Sequence, residues 1–272
     1  MIKKFYPQGK SKAFNVSYDD GVLQDKELID ILNKYGIKGT FNLNSALMKQ
    51  EFAWFHECGM VVKRLSDRLI RDVYKGHEIA SHTLNHPYMD HLSAEEILHE
   101  MAADRDNLQA LSGTEISGFA VPFDYYSDLI RECAKIAGFE YVRTSKLSGS
   151  YTPPKDVYNW QAGIFHLSAE LGSFVDGFLD TDEELALCQI AGHSYDLDAE
   201  RIWERIETLF AKVAADESVW FATHIELVRY LKAMGKAVVT DKYIHNTSDR
   251  ELWFEIDGQT KSLQSGEELW MK

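Results

Sequence analysis

Short apolar runs alternate with amphipathic ones along most of the chain. Residues 13–18 alternate like a strand. Residues 25–35 then set Leu28, Ile29, Leu32 and Tyr35 on one helical face, and Gly36 stands where a C-cap belongs. Residues 39–43 and 76–81 predict two further strands. Ser93-Ala94-Glu95-Glu96 is a capping box that opens a long helix ending near Gly113. Strands follow at 116–121, 140–144 and 185–191, with a helix over 127–137 that stops at Gly138. Asp198 is placed to cap a helix running to about Ala215, and 219–222 with 225–234 makes a last strand–helix pair. Some seven strands with helices between them predict an α/β fold, either a barrel or a doubly wound sheet.

The last segment has another rhythm. Asn246-Thr247-Ser248-Asp249, Asp257-Gly258 and Ser265-Gly266 are turns between short β-prone pieces. No linker precedes them. The expected division is a main domain over 1–239 and a small antiparallel β extension over 240–272, packed on it.

Composition narrows the class of function. The chain has 272 residues, enough for one barrel domain, with 45% apolar and 26% charged residues. Lys and Arg number 29 against 43 Asp and Glu, a net charge of −14. That balance excludes gripping nucleic acid or an anionic membrane as the main task. The three cysteines, Cys58, Cys133 and Cys188, form neither a disulfide framework nor a CxxC pair, which fits a reducing compartment. Residues 1–7 carry no apolar run of the kind a signal peptide needs, and no transmembrane helix is expected. The expected location is the cytoplasm, a removed leader aside.

Four patches of chemistry fall at the C-terminal ends of predicted strands, where α/β barrels collect their active-site residues. Ser17-Tyr18-Asp19-Asp20-Gly21 sets two carboxylates side by side. Adjacent side chains leave a strand on opposite faces, so one carboxylate can hold a metal while the other stays free as a base. Taken alone, Asp-Asp-Gly is an ordinary turn. His82-Thr83-Leu84-Asn85-His86 places two imidazoles four residues apart, on one side of a helical turn, able to share one ion with a carboxylate and leave an open position. Phe119-Ala120-Val121-Pro122-Phe123 alone is a strand ending at proline. Gly192-His193-Ser194-Tyr195-Asp196 puts a histidine just past a buried strand, where it can serve as an acid.

Taken in order, these patches resemble the motifs of the polysaccharide deacetylase family, also called the NodB-homology domain or carbohydrate esterase family 4. The family's [TS]-F-D-D-G corresponds to Ser17–Gly21, its H-[ST]-x-x-x-H to His82–His86, and its R-x-P-Y to Ala120–Phe123. Its acid beside tryptophan corresponds to the Asp156–Trp160 stretch, and its final histidine to His193. The resemblance spans about residues 12–230. It implies a distorted (β/α) barrel of about seven strands. It also implies a hydrolase that removes acetyl from an N- or O-acetylated sugar or oligosaccharide, with no nucleic acid or membrane partner; homo-oligomerisation stays open. Asp20, His82 and His86 would bind a divalent metal, zinc first, and Asp19 would take a proton from the water that the metal activates. The main-chain N–H of Phe123 would help bind the oxyanion, His193 would protonate the leaving group, and Trp160 would wall the acetyl pocket.

The motifs are incomplete. Ala120 stands where the family has an arginine that orients the catalytic aspartate, and Asn159 where it has the acid paired with that arginine. The two charges are missing together, as in a consistent variant. Ala191 replaces a pocket leucine, so the acetyl pocket is larger or filled from elsewhere. His224, after another strand, competes with His193 as the acid. Two further readings follow: a catalytically impaired relative that binds glycans, and a metal-independent amidase or deformylase acting on a small nitrogenous metabolite.

Overall fold

The computed structural model describes residues 2–271. Its centre is a parallel sheet curled into a nearly closed barrel. The strands in chain order are β1 (Lys12–Asp19), β2 (Gly39–Leu43), β3 (Glu78–Ser81), β4 (Gly118–Ala120), β5 (Tyr141–Leu147), β6 (Trp160–Ala162), β7 (Ile164–Phe165) and β8 (Ala186–Gly192). Around the ring they run β7-β8-β1-β2-β3-β4-β5-β6. The ring closes because β6 and β7 are one stretch of chain on either side of Gly163. β6 pairs with β5, β7 pairs with β8, and Gly163 N donates to Gln189 O at 2.9 Å. A short ninth strand, β9 (Val219–Phe221), pairs with Lys12–Phe14 of β1, while β2 pairs with Val16–Asp19 further along.

Eight strands form the ring where the hydrophobic pattern picks out about seven. Six of the seven lie in the ring and the seventh is β9; the two ring members with no counterpart in the pattern, β6 and β7, have three and two residues, too short to show a period of two. Phe14, Val16, Tyr18 and Phe41 pack into the main core with Leu28 and Leu32 of the helix Asp25–Lys34. The helix Ala94–Ser112 begins at the expected capping box, Ser93 with Glu96, and ends at Gly113 in the left-handed conformation. The expectation that Asp198 caps the helix leading to residue 215 is corrected. That helix is Trp203–Ala214, and Ile202 is at its cap. A separate short helix, Ser194–Ala199, takes up the chain in between, and Asp198 instead accepts from the Trp203 indole at 2.6 Å.

The C-terminal strands Leu252–Ile256 and Gln259–Leu263 join Ile2–Phe5 in one antiparallel sheet. Tyr243–His245 and Glu268–Trp270 form another with Val238–Val239. A second core of Tyr6, Leu185, Leu187, Tyr230, Leu252 and Phe254 fixes this extension at the start of β8. Tyr6 donates to Leu185 O at 2.7 Å and Tyr230 to Phe5 O at 2.6 Å. Because the strands are parallel, the extension plugs the end of the barrel opposite the four chemical patches. Among the described residues no helix is long and apolar enough to cross a membrane.

Candidate active site

The end of β1 delivers both carboxylates to one cavity, which corrects the opposite-faces expectation. Asp19 is the last strand residue, and Asp20 lies past it with φ 87, so the alternation of the strand no longer applies. Gly21 follows at φ 64, where an added Cβ would stand 2.9 Å from Leu43 Cδ2. Asp19 Oδ1 accepts from Asn42 Nδ2 at 2.7 Å and pairs with the buried Arg143 guanidinium. Burial pushes the Asp19 carboxyl up, but Arg143, with His82 and His193, brings it below the ordinary carboxylate value. Arg64 Nη1 stands 2.9 Å from Asp20 Oδ1 and also donates to the Asp20 carbonyl. Burial acts against the Asp20 charge too. Arg64 and His193 override it and hold the carboxyl well below the usual range.

His82 and His86 meet through a bent loop, not the helical turn the spacing predicts. Thr83 at φ 69 and His86 at φ 55 turn the chain back on itself. His86 N donates to Thr83 Oγ1 at 3.1 Å, and Asn44 Nδ2 donates to Thr83 O at 2.9 Å. His82 Nδ1 lies 2.9 Å from Ala120 O, so it donates its proton there and leaves Nε2 as a lone pair. The two rings lie 4.8 Å apart, and His86 Nε2 is 3.6 Å from Asp20 Oδ1. Burial, followed by the neighbouring His82, pushes His86 down to about 4, and burial also lowers His82. At neutral pH the set is therefore one carboxylate and two neutral imidazoles.

One ligand atom from each of Asp20, His82 and His86 lies within 4.8 Å of the others. Asp20 Oδ1 has the Arg64 guanidinium as its ion partner at 2.9 Å but accepts no hydrogen bond, so it keeps a lone pair for a further cation. Three such donors fit a divalent ion with one position left open.

His193, past the end of β8, lines the same cavity. Its Nδ1 is 3.1 Å from Asp196 Oδ2, which His166 Nε2 also meets at 3.1 Å; His166 Nδ1 in turn faces the Tyr18 hydroxyl at 3.2 Å. Burial opposes a charge on His193. The Asp196 hydrogen bond and the Asp20 and Asp19 carboxylates outweigh it and push its pKa up to about 9. Asp196 itself is held down at about 2, since the two histidines overcome its burial. His193 thus carries a proton at neutral pH, while Asp19 carries none.

The cavity measures about 450 Å³, and its apolar lining comes from Phe123, Leu147, Phe165 and Ala191. Leu147 and Phe165 supply bulk around the small Ala191. Phe123, at φ 55 and exposed, sets its ring 4.5 Å from His86 and stacks on Tyr88 at 4.1 Å.

Other expected residues lie elsewhere. Trp160 is fully buried inside the barrel below the cavity, donating to Gln189 Oε1 at 2.7 Å, and is not part of the lining. His224 is sandwiched there between Tyr141 and Trp160, at 3.9 and 4.5 Å, and is not part of the lining of the cavity that holds His193. Asp156 pairs with Arg131 at 2.7 Å and caps the turn at Tyr158. The view that both charges of the family pair are absent is corrected in part. Arg143 of β5 is the register partner of Ala120 on β4, and its guanidinium reaches Asp19. Its one sequence signal is a lone cation in the otherwise uncharged run Tyr141-Val142-Arg143-Thr144. Asp196, three residues after His193, is a further residue whose part in the site only the structure shows.

A family model described as polysaccharide deacetylase matches residues 7–142, half of the chain. Chitin deacetylase 1 of Cryptococcus neoformans is 28% identical over 157 residues, which is 57% of this chain and 30% of that protein. The chain spans about a third of the length of the curated relatives it matches. Among solved structures, the carbohydrate esterase family 4 domain of a multidomain xylanase from the hindgut metagenome of Trinervitermes trinervoides aligns with a TM-score of 0.55. The two are 16% identical over 82% of this chain and 92% of that one. A wild-type carbohydrate esterase family 4 pseudoenzyme from Bacillus anthracis aligns at 0.53, with 15% identity over 83% of this chain and 68% of that one. At such identities the structural likeness is one of fold. With half its length matched by the family model, and with Asp19, Asp20, His82, His86, Phe123 and His193 gathered at one barrel mouth, the chain belongs to the polysaccharide deacetylase family.

Proposed function

We propose that the protein hydrolyses an acetyl group from an N- or O-acetylated carbohydrate at this barrel mouth. The observation that carries the reading is the placement of Asp19 and His193 in one cavity, beside the donor set Asp20, His82 and His86. A divalent ion bound there, zinc by its N₂O donor set, would supply Lewis-acid polarisation of the acyl carbonyl and lower the pKa of the attacking water.

The chain's own residues do the rest. Asp19 accepts a proton from water as its oxygen joins the acyl carbon. His193 gives its Nε2 proton to the departing nitrogen or oxygen as the bond from the acyl carbon to it breaks. The products are acetate and the free amine or hydroxyl. Asp196 holds His193 by Nδ1, which leaves Nε2 as the donating atom. The Phe123 main-chain N–H is the proposed oxyanion donor. Leu147, Phe165 and Ala191 offer an apolar bed for the acetyl methyl.

The test is acetate release from N-acetylated chito-oligosaccharides and acetylated xylo-oligosaccharides, with the metal content of each preparation measured alongside. Wild type should release acetate, and Asp19→Asn should keep the metal and lose the activity. Full activity in Asp19→Asn would remove Asp19 as the base. A metal-loaded wild type that releases no acetate from any of them would favour the binding-only reading.

A further inference from the structure

We infer that Arg143 is the positioning residue for the base Asp19, delivered from the strand next to the one where the family's arginine is expected. The inference rests on the reading of Asp19 as base given above. β4 and β5 are parallel and in register at Ala120↔Arg143, and β6 continues the same rung with Trp160. Side chains on one rung of adjacent strands project to the same face. Ala120 and Arg143 therefore look into the barrel from neighbouring positions. Ala120 is fully buried and contributes only a methyl group. The space its short side chain leaves is open to a long side chain from β5.

Arg143 is 3% exposed, and Asp19 is its carboxylate partner. Its guanidinium and the Asn42 amide meet the same oxygen of Asp19, Oδ1. That leaves Oδ2 outside both bonds, in a residue that lines the cavity. The other charged or titratable groups around Asp19 are His82, His193 and Asp20. Arg143 Nη1 is also 3.5 Å from Thr144 O. A planar guanidinium held at both ends fixes the carboxylate plane in a way a flexible ammonium would not. The arginine of the family pair is thus replaced in chemistry by one from the neighbouring strand, and the alanine at 120 is no sign of decay.

The experiment compares wild type, R143A and the double variant A120R/R143A. Each is loaded with zinc and assayed for kcat, KM and metal content on the substrate that wild type turns over best. The expected result for R143A is a fall in kcat of about 100-fold, the scale for a misplaced catalytic group, with KM and metal content unchanged. The double variant returns a guanidinium to the same rung and should recover kcat at least about tenfold over R143A. Should R143A fail to fold because Asp19 is left buried and unpaired, the double variant carries the test alone, since it restores the pair. An R143A enzyme within about threefold of wild type would overturn the inference and leave the proposed function standing. So would a defect confined to KM, or a folded double variant with no recovery. A wild type that releases no acetate overturns both.

Discussion

The barrel interior holds two polar clusters, one at the mouth and one near the floor, and they are built on different terms. Near the floor, Glu78 accepts from Thr40 Oγ1, Tyr141 Oη and Ile225 N, each at 2.9 Å. Asn15, Gln189 and Trp160 are linked by bonds of 2.6 and 2.7 Å. Donors and acceptors there largely meet each other, and the cluster joins β1, β2, β3, β5, β6 and β8. At the mouth the groups are charged and their valences are left open. Of nine buried side-chain atoms without a hydrogen-bond partner among the described residues, five belong to Asp20, Asn42, Asn44, Arg64 and Arg143. Unmet polar groups of this kind destabilise a fold. Their concentration around the donor set marks the mouth as the part shaped for a ligand and the floor as the part shaped for stability.

Variants in the two clusters should therefore fail differently. The largest effect is expected for His82→Ala. Metal content by elemental analysis should drop from about one ion per chain to near none, with acetate release at background and the melting temperature of the metal-free protein little changed. A variant that still binds metal stoichiometrically would take His82 out of the donor set.

Next comes Asp196→Asn, which removes the carboxylate holding the His193 proton. The Asp196 hydrogen bond is the largest of the influences that push the His193 pKa up against its burial. The acid must be protonated to act, so activity falls as pH rises through the His193 pKa. The alkaline limb of the kcat/KM profile should move to lower pH in the variant. An unmoved limb would separate His193 from the acid role.

The floor should answer in stability. Burial pushes Glu78 up to about 7, and it does the same to Asp25 and Asp104, which lie outside the floor cluster. In the unfolded chain these carboxyls titrate near their ordinary values. Between about pH 4 and 7 the folded state therefore binds more protons than the unfolded one, and stability falls as pH rises through that window. Glu78→Gln should flatten this slope in denaturant titrations and leave kcat intact, whereas an unchanged slope would show that Glu78 does not contribute to it. The smallest effect is expected for Trp160→Phe. It breaks the bond to Gln189 at a cost of about 1 kcal/mol, with kcat within about twofold of wild type. A large loss of kcat would return Trp160 to the acetyl pocket.

What the sequence made legible follows from how local each signal is. Asp19-Asp20-Gly21 and His82…His86 can be read because each pair of polar side chains lies within one short segment at a strand end, and the structure brings Asp20, His82 and His86 together. Arg143 could not be read, because its relation to Asp19 spans 124 residues and depends on the register of β4 on β5. β6 and β7 leave no signal in the sequence because three and two residues show no period. Asp198 looked like a helix cap because the short helix Ser194–Ala199 has no apolar pattern of its own to separate it from the next.

The central claim is that the mouth cluster is a metal-dependent deacetylase site. Its most direct test is the rate of acetate release by wild type on an N-acetylated chito-oligosaccharide, measured before chelation, after it, and after zinc is returned. The account predicts release that disappears on chelation and comes back with the metal. Release that persists unchanged in the chelated protein would contradict it.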